Sequence, residues 1–181
     1  MKNFYFLRHG QTDWNARGIF MGSQDIALNQ TGILQARRIE PFIAECHDIS
    51  SVVSSPLVRA VQTSAIVNQR QQKPTCYDPL WQEANLGEYE GTPCTLSLLD
   101  MWLEGFLEDA AESAASFRTR ISIGFDILMQ RGGCPLIVSH GMVFRVLCDI
   151  LGIVSRALIG NCTLCYFSKI PNWHMQSFSI D

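Results

Sequence analysis

The chain has 181 residues, 47% hydrophobic and 17% charged, which suits one globular domain spanning 1–181 with a single core. A formal net charge of −3 gives no reason to expect nucleic acid or an anionic membrane as partner. The apolar runs fall short of the roughly 20 residues that a spanning helix needs. The apolar part of the N-terminus, residues 4–7, is too short for a signal peptide. The seven cysteines lack the dense framework of a secreted scaffold. The expected location is therefore cytoplasmic, with reduced thiols. The length allows a monomer, and nothing else in the sequence bears on oligomeric state.

The first expected strand is Asn3 to Arg8, ending at His9-Gly10, and a polar loop follows from Gln11 to about Asn29. Thr31 is the expected N-cap of a helix from Gly32, with Leu34, Ile39, Phe42, Ile43 and Cys46 on its buried stripe. Pro41 should kink or restart it. Ile49 to Ser54 reads as a second strand. Ser55-Pro56 reads as a helix start, Ser as cap and Pro at the first position, with Leu57, Val61 and Ala65 facing inward. A short strand is expected at Thr75 to Tyr77 and a loop from Trp81 to Pro93. Helices are expected over Thr95–Leu107, with Leu96, Leu99, Trp102, Leu103 and Phe106 on one side, and over Ser113–Arg131, with a stripe of Phe117, Ile121, Phe125 and Leu128. Then come a strand at Pro135–Val138, a buried helix at Met142–Leu151, and two strands at Cys162–Ser168 and Trp173–Phe178 joined around Pro171-Asn172.

Alternation of strands and helices implies an α/β fold. The expected architecture is a three-layer α/β/α sandwich, a mostly parallel central sheet with an antiparallel edge strand. Cys162 and Cys165 form a C-x-x-C, but no second pair matches it. In a strand the two thiols would face opposite sides, so neither zinc nor redox chemistry is expected there.

Two of the four histidines, His9 and His140, share one context: apolar strand, polar residue, His, Gly. In open α/β sheets ligands bind beyond the carboxyl ends of the strands, where both pairs fall. The glycines Gly10 and Gly141 allow close backbone approach to a ligand. Arg8 precedes His9, and Arg59 lies among apolar neighbours in the turn after the second strand. Two arginines, two histidines and the helix N-terminus after His140 would make a cationic pocket. Such a pocket suits a phosphoryl group whose charge spreads over three oxygens during transfer. A carboxylic acid with a raised pKa would supply the leaving group's proton. Glu83, Glu88 and Glu90 are the candidates.

The run Leu7-Arg8-His9-Gly10-Gln11-Thr12-Asp13-Trp14-Asn15 resembles the signature of the histidine phosphatase (phosphoglycerate mutase-like) superfamily. Gly22 through Gly32, Ser54 through Thr63, Glu83 through Gly91, Val138 through Gly141, and Asn161 through Phe167 resemble further blocks of that family, in order. The resemblance implies that His9 is the nucleophile, forming a phosphohistidine. It implies that Arg8, Arg59 and His140 hold the phosphoryl group, with Asn15, Gly22 and Gly141 also at the substrate. Glu83, which heads its block, would protonate the leaving group and then activate water. No cofactor and no metal are implied.

The superfamily includes mutases and phosphatases. A cofactor-dependent phosphoglycerate mutase must hold a second anion, yet no Lys or Arg occurs from Pro74 to Phe117, where nine acids do. The expected activity is therefore hydrolysis of a small-molecule phosphomonoester. A mutase is the alternative, with Arg17, Arg118 and Arg120 supplying the missing charge. A phosphoprotein phosphatase or a binding module completes the alternatives. Leu98, Met101, Trp102 and Phe106 are expected mostly to pack in the core rather than to cover a leaving group.

Overall fold

The computed structural model describes residues 3–107, 112–154 and 159–178, without the side chains of 96–99. Its element order is β1 (Phe4–Arg8), α1 (Asp13–Ala16), α2 (Gln30–Ala44), β2 (Ile49–Ser54), α3 (Val58–Val67), β3 (Thr75–Tyr77), α4 (Leu96–Leu103), α5 (Ala114–Gln130), β4 (Cys134–Ser139), α6 (Gly141–Ile150), β5 (Leu164–Lys169) and β6 (Trp173–Phe178). Of two short 3₁₀ turns, Pro79–Trp81 ends where the expected loop begins and Gly87–Tyr89 lies within that loop.

Six strands form one sheet in the order β3-β2-β4-β1-β5-β6. The first four are mutually parallel; β5 pairs antiparallel with β1, and β6 with β5. The period-2 alternation of β1 shows how the sheet is covered. Phe4 and Phe6 enter one core with Phe117, Ile121, Phe125 and Leu128 of α5 and the buried face of α6. Tyr5 and Leu7 enter the other, with Ala36, Ile39 and Ile43 of α2 and Ala60 and Val67 of α3. The result is the expected three-layer arrangement. No described helix is long and apolar enough to cross a membrane.

Several local expectations are corrected. The N-cap of α2 is Asn29, whose side-chain oxygen accepts from Gly32 N at 2.9 Å, so Thr31 already lies in the first turn. The helix runs on through Pro41, which is exposed, so the carbonyl deprived of its donor can turn to water. Leu34 and Phe42 lie on its outer side, 47% and 39% exposed. Ser55 does not cap α3. The helix begins at Val58, and Asp25 from a distant loop takes the Val58 N–H at 2.6 Å. The inward face of α3 is Arg59, Ala60, Thr63, Ser64 and Val67, while Ala65 is exposed. Helix α4 stops at Leu103. Trp102 is in the core, Met101 and Phe106 are exposed, and the side chains of Leu96, Leu98 and Leu99 lie outside those described. Cys162 precedes β5 at φ 51° instead of opening it, although it and Cys165 do join opposite cores. The loop after β1 contains α1, where Thr12 and Asn15 form a reciprocal capping box.

The loop carrying His9 is seated by two glycines in direct contact. A Cβ at Gly10 would meet Gly32 O at 2.5 Å, and one at Gly32 would meet Gln11 O at 2.1 Å. Alanine in a helix normally gains about 0.5–1 kcal/mol over glycine. Here the backbone collision outweighs that gain. Gly32→Ala should lose about 2 kcal/mol net, which corresponds to a Tm lower by about 4–8 °C in a thermal melt. An unchanged or raised Tm would show that the loop yields freely.

Candidate active site

Strand register brings the two histidines together. Arg8 of β1 lies opposite Ser139 of β4, and His9 N donates to Ser139 O at 2.9 Å. The next residue on each strand is therefore a histidine at the carboxyl end of the sheet. Their ring centroids are 5.1 Å apart. Ser54 of β2 pairs with Val138, and Ser55 N continues the ladder to Val138 O at 3.0 Å. That places Ser55 Oγ 2.7 Å from His140 Nε2.

His9 is 2% exposed, and its Nδ1 lies 2.7 Å from the carbonyl of Gly10. A carbonyl can only accept, so Nδ1 carries the hydrogen and Nε2 is left with its lone pair. Burial, then Arg59, then Arg8 push the imidazole pKa well below the ordinary 6.5, against the Gly10 bond. The same loop is held by Thr63, which accepts from Gly10 N at 3.0 Å, and by Asn161, whose Nδ2 donates to His9 O at 3.0 Å. Asn161 Nδ2 is also 3.2 Å from Asn15 Oδ1, which accepts from Thr12 N as well. The Asn15 oxygen is thus engaged, and its NH₂ is what it can offer to the cavity it lines.

Arg59 is fully buried. It donates to Gln24 O at 2.6 Å and to Gly22 O at 2.8 Å. Arg8 donates to Ile159 O. Burial brings the Arg59 pKa down to about 10 and lowers that of Arg8, in each case opposed by nearby Glu83. Arg8 Nε, Arg59 Nε and His140 Nδ1 are buried without a hydrogen-bond partner. Burial, followed by Arg59, His9 and Arg8, also holds His140 well below the ordinary value.

Glu83 approaches from the loop before the 3₁₀ turn at Gly87. Its Oε1 accepts from Ala84 N and its Oε2 from Met142 N, each at 3.1 Å, the latter in the first turn of α6. Burial of the carboxyl raises its pKa against those two N–H groups and both arginines. Glu88 is exposed. Glu90 is a clamp. Its Oε1 accepts from Ser23 N at 2.7 Å, Ser23 Oγ at 2.9 Å and Leu86 N at 3.1 Å, and its Oε2 accepts from Gln24 Nε2 at 2.7 Å. It thereby fixes the loop whose carbonyls hold Arg59. Gly22 has φ +52°, and a Cβ there would sit 2.2 Å from Glu90 Oε1.

Arg8, His9, Asn15, Gly22, Arg59, Glu83 and Gly141 all line one cavity of about 90 Å³. Every residue expected at the site from sequence lines it except His140, whose ring centroid is 5.1 Å from that of His9. Arg17, Arg118 and Arg120 are not brought in. Arg17 is exposed, Arg118 pairs with Asp149, and Arg120 binds Glu112 at 2.8 Å and the carbonyl of Gln82 at 3.0 Å. A larger cavity of about 620 Å³, lined by Arg118, Arg145 and Asp149 among others, contains none of the site residues. Among the described residues no cluster of three or more His, Cys, Asp or Glu side chains could hold a metal ion. Sequence reasoning missed Ser55, Thr63, Glu90 and Asn161 as supports. Ser55 was read as a helix cap, and the other three signal nothing by spacing alone.

The family model of the histidine phosphatase superfamily (branch 1) matches residues 4–181. A probable phosphoglycerate mutase GpmB from Yersinia pestis (strain Pestoides F) is 30% identical, over 91% of this chain and 83% of its own length. A mycobacterial glucosyl-3-phosphoglycerate phosphatase complexed with VO3 superposes with a TM-score of 0.83 at 21% identity, covering 100% of both chains. A putative alpha-ribazole-5'-P phosphatase from Escherichia coli K-12 gives a TM-score of 0.82 at 19% identity, covering 99% of this chain and 96% of that one. At such identities the two structures speak to the fold.

The Glu90 clamp makes a separable prediction. Glu90→Ala strands two backbone N–H groups and frees the loop that aims Arg59. It should cost about 2 kcal/mol of stability and raise KM for a phosphate ester about tenfold. Glu90→Gln keeps the threefold acceptor and needs only a turned Gln24 amide, so it should retain most of both. An unchanged KM in Glu90→Ala, measured by steady-state kinetics on folded protein, would remove Glu90 from the positioning of Arg59.

Proposed function

This chain belongs to the histidine phosphatase superfamily, and we propose that within it the protein is a phosphatase that hydrolyses a phosphomonoester through a phosphohistidine on His9. The observation that carries this reading is the set of three buried, unpartnered nitrogens, Arg8 Nε, Arg59 Nε and His140 Nδ1, gathered around a histidine whose Nε2 bears a lone pair. Buried donors without partners are costly. A phosphoryl group supplies acceptors for all of them at once.

His9 Nε2 attacks phosphorus while the ester P–O bond breaks. The guanidinium groups and His140 hold the three equatorial oxygens, where charge is spread in the transition state. Ser55 Oγ–H donating to His140 Nε2 leaves Nδ1–H as a donor toward the phosphoryl group. Glu83, whose pKa is raised by burial, acts in its acid form and gives its proton to the departing alkoxide. The resulting carboxylate then takes a proton from water, whose oxygen attacks phosphorus as the P–N bond breaks. Orthophosphate, neutral His9 and protonated Glu83 are regenerated. No metal or cofactor enters the cycle.

Hydrolysis is favoured over mutase action because the cations that a second anion would need are engaged elsewhere. Arg118 is tied to Asp149, and Arg120 to Glu112. The family's mutases keep the alternative alive in one respect, the resemblance to the Yersinia relative. Interconversion of phosphoglycerates in place of phosphate release would decide for it.

The reaction is tested by phosphate release from p-nitrophenyl phosphate in EDTA. Wild-type protein should turn over, and His9→Ala should fall to background, because no other group is placed to accept the phosphoryl. Wild-type rates in His9→Ala would sink the mechanism. In Glu83→Gln the good leaving group still departs but the base for hydrolysis is gone. A burst of about one equivalent of nitrophenol should appear, with acid-labile phosphate on the protein.

The pH profile of kcat/KM for an alkyl phosphate should be a bell. Its acid limb is protonation of His9, whose pKa is lowered, so activity persists below pH 6.5 before it is lost. Its alkaline limb is deprotonation of Glu83, whose pKa is raised, so activity is lost above the ordinary carboxylate value of 4.5. A profile that rises through neutrality to an alkaline plateau would be incompatible with Glu83 acting as an acid.

A further inference from the structure

The candidate cavity has two unlike halves. The polar floor is Arg8, His9, Arg59 and Glu83. The wall is apolar, formed by Ile19, Phe20, Met21, Leu86, Cys94 and Met142.

The wall is built as a rigid lip. Phe20 N donates to Thr92 O at 2.8 Å, Gly91 N to Phe20 O at 2.9 Å, and Cys94 N to Gly18 O at 2.7 Å. Ile19 and Pro93 form an antiparallel bridge inside this ladder. Ile19 and Cys94 are thus carried on two facing strands of one small bracket. Glu90 ties the base of the bracket to Ser23 and Gln24. Two short loops far apart in sequence are thereby fixed as one surface.

Charge on the lip is one-sided. Among the described residues lining the cavity, the cations are Arg8 and Arg59, both aimed at the phosphoryl position. One strand of the bracket comes from the stretch Pro74–Phe117, which has no Lys or Arg, and Glu88 is exposed beside it.

We propose that this lip is the leaving-group subsite, and that it selects phosphomonoesters of uncharged, apolar alcohols over those bearing a carboxylate or a second phosphate. The proposal rests on the phosphatase reading above and names its substrate class. A cavity of about 90 Å³ encloses the phosphoryl group and the first carbons of the ester, and the rest of the alcohol leaves over the lip between Ile19 and Cys94. Methylene groups there replace water against Ile19, Leu86 and Met142. A carboxylate in the same place loses its hydration, and among the described residues lining the cavity the only cations, Arg8 and Arg59, are taken by the phosphoryl group. A hydroxyl loses less.

Three three-carbon esters separate these cases: propyl phosphate, glycerol 3-phosphate and 3-phosphoglycerate. All are esters of primary alcohols, so the chemical step is closely matched and the subsite decides. On wild-type protein kcat/KM should fall in that order, with propyl phosphate ahead of 3-phosphoglycerate by about 30-fold or more.

Cys94→Lys places an ammonium on the lip and should narrow the propyl to phosphoglycerate ratio by about fivefold or more. Ile19→Lys repeats the test from the facing strand. The ratio is read on one preparation, so a reduced active fraction cancels. Equal or reversed order in the wild type, or a ratio unchanged in both lysine variants, overturns the subsite. p-Nitrophenyl phosphate turned over alongside such a result leaves the phosphatase reading standing. No turnover of any ester removes both.

Discussion

Arg59 sits at zero exposure, and among the described residues no carboxylate forms a salt bridge to it. A guanidinium so placed must be solvated by the protein. Two main-chain carbonyls, Gly22 O and Gln24 O, do that work, and much of the surrounding structure follows from the need to hold them. Gly22 takes a positive φ so that its carbonyl turns inward, and Glu90 occupies the space a side chain there would fill. Asp25, the next residue along, caps the helix that carries Arg59. A charge on α3 and the loop that neutralises it are thus locked to one another from both ends. Arg8 repeats the solution with the carbonyl of Ile159. The two cations are held by dipoles, which leaves net positive charge facing the cavity, where a carboxylate partner would have cancelled it.

The strand ends were legible because they obey short-range rules. Apolar runs and the repeated strand-His-Gly context located β1, β2 and β4 to within a residue or two and put both histidines at strand ends. Helix faces were harder. In α3 the apolar residues Leu57, Val61 and Ala65 suggested one buried stripe, whereas the helix turns Arg59 and Thr63 inward. Periodicity assumes that what is buried is apolar, and a functional arginine with carbonyl partners breaks that assumption. The caps failed for a related reason. Ser55 looked like a local cap, and its Oγ does accept from Leu57 N at 3.3 Å, but that residue precedes the helix, the hydroxyl also serves His140, and the Val58 N–H is taken by Asp25 from 33 residues away. A partner that distant leaves no trace in spacing. The choice of Glu83 over Glu90 came from a resemblance; the hydrogen bonds explain it, since all of the acceptor capacity used by Glu90 is spent on the loop.

Chemistry and selectivity occupy different kinds of structure here. The arginines and histidines proposed for phosphoryl transfer stand on strand ends and the first turn of α3, positions set by the sheet register, and Glu83 stands on a loop pinned by the Met142 N–H of α6. The groups proposed for selectivity stand on a bracket of loops joined by three backbone hydrogen bonds. Backbone bonds fix the shape of the lip without fixing its side chains, so residues such as Ile19 and Cys94 can change while the reaction centre stays rigid.

The three partnerless nitrogens have a consequence beyond the chemical step. Three buried donors gathered in this way suit any small tetrahedral oxyanion, whose oxygens can accept from all of them. Orthophosphate is such an anion, and it is what the proposed reaction leaves behind. The stronger the grip on the transition state's equatorial oxygens, the more slowly the vacated product departs. Ambient phosphate would then act as a brake on turnover and as a protectant of the fold, both through a single occupancy.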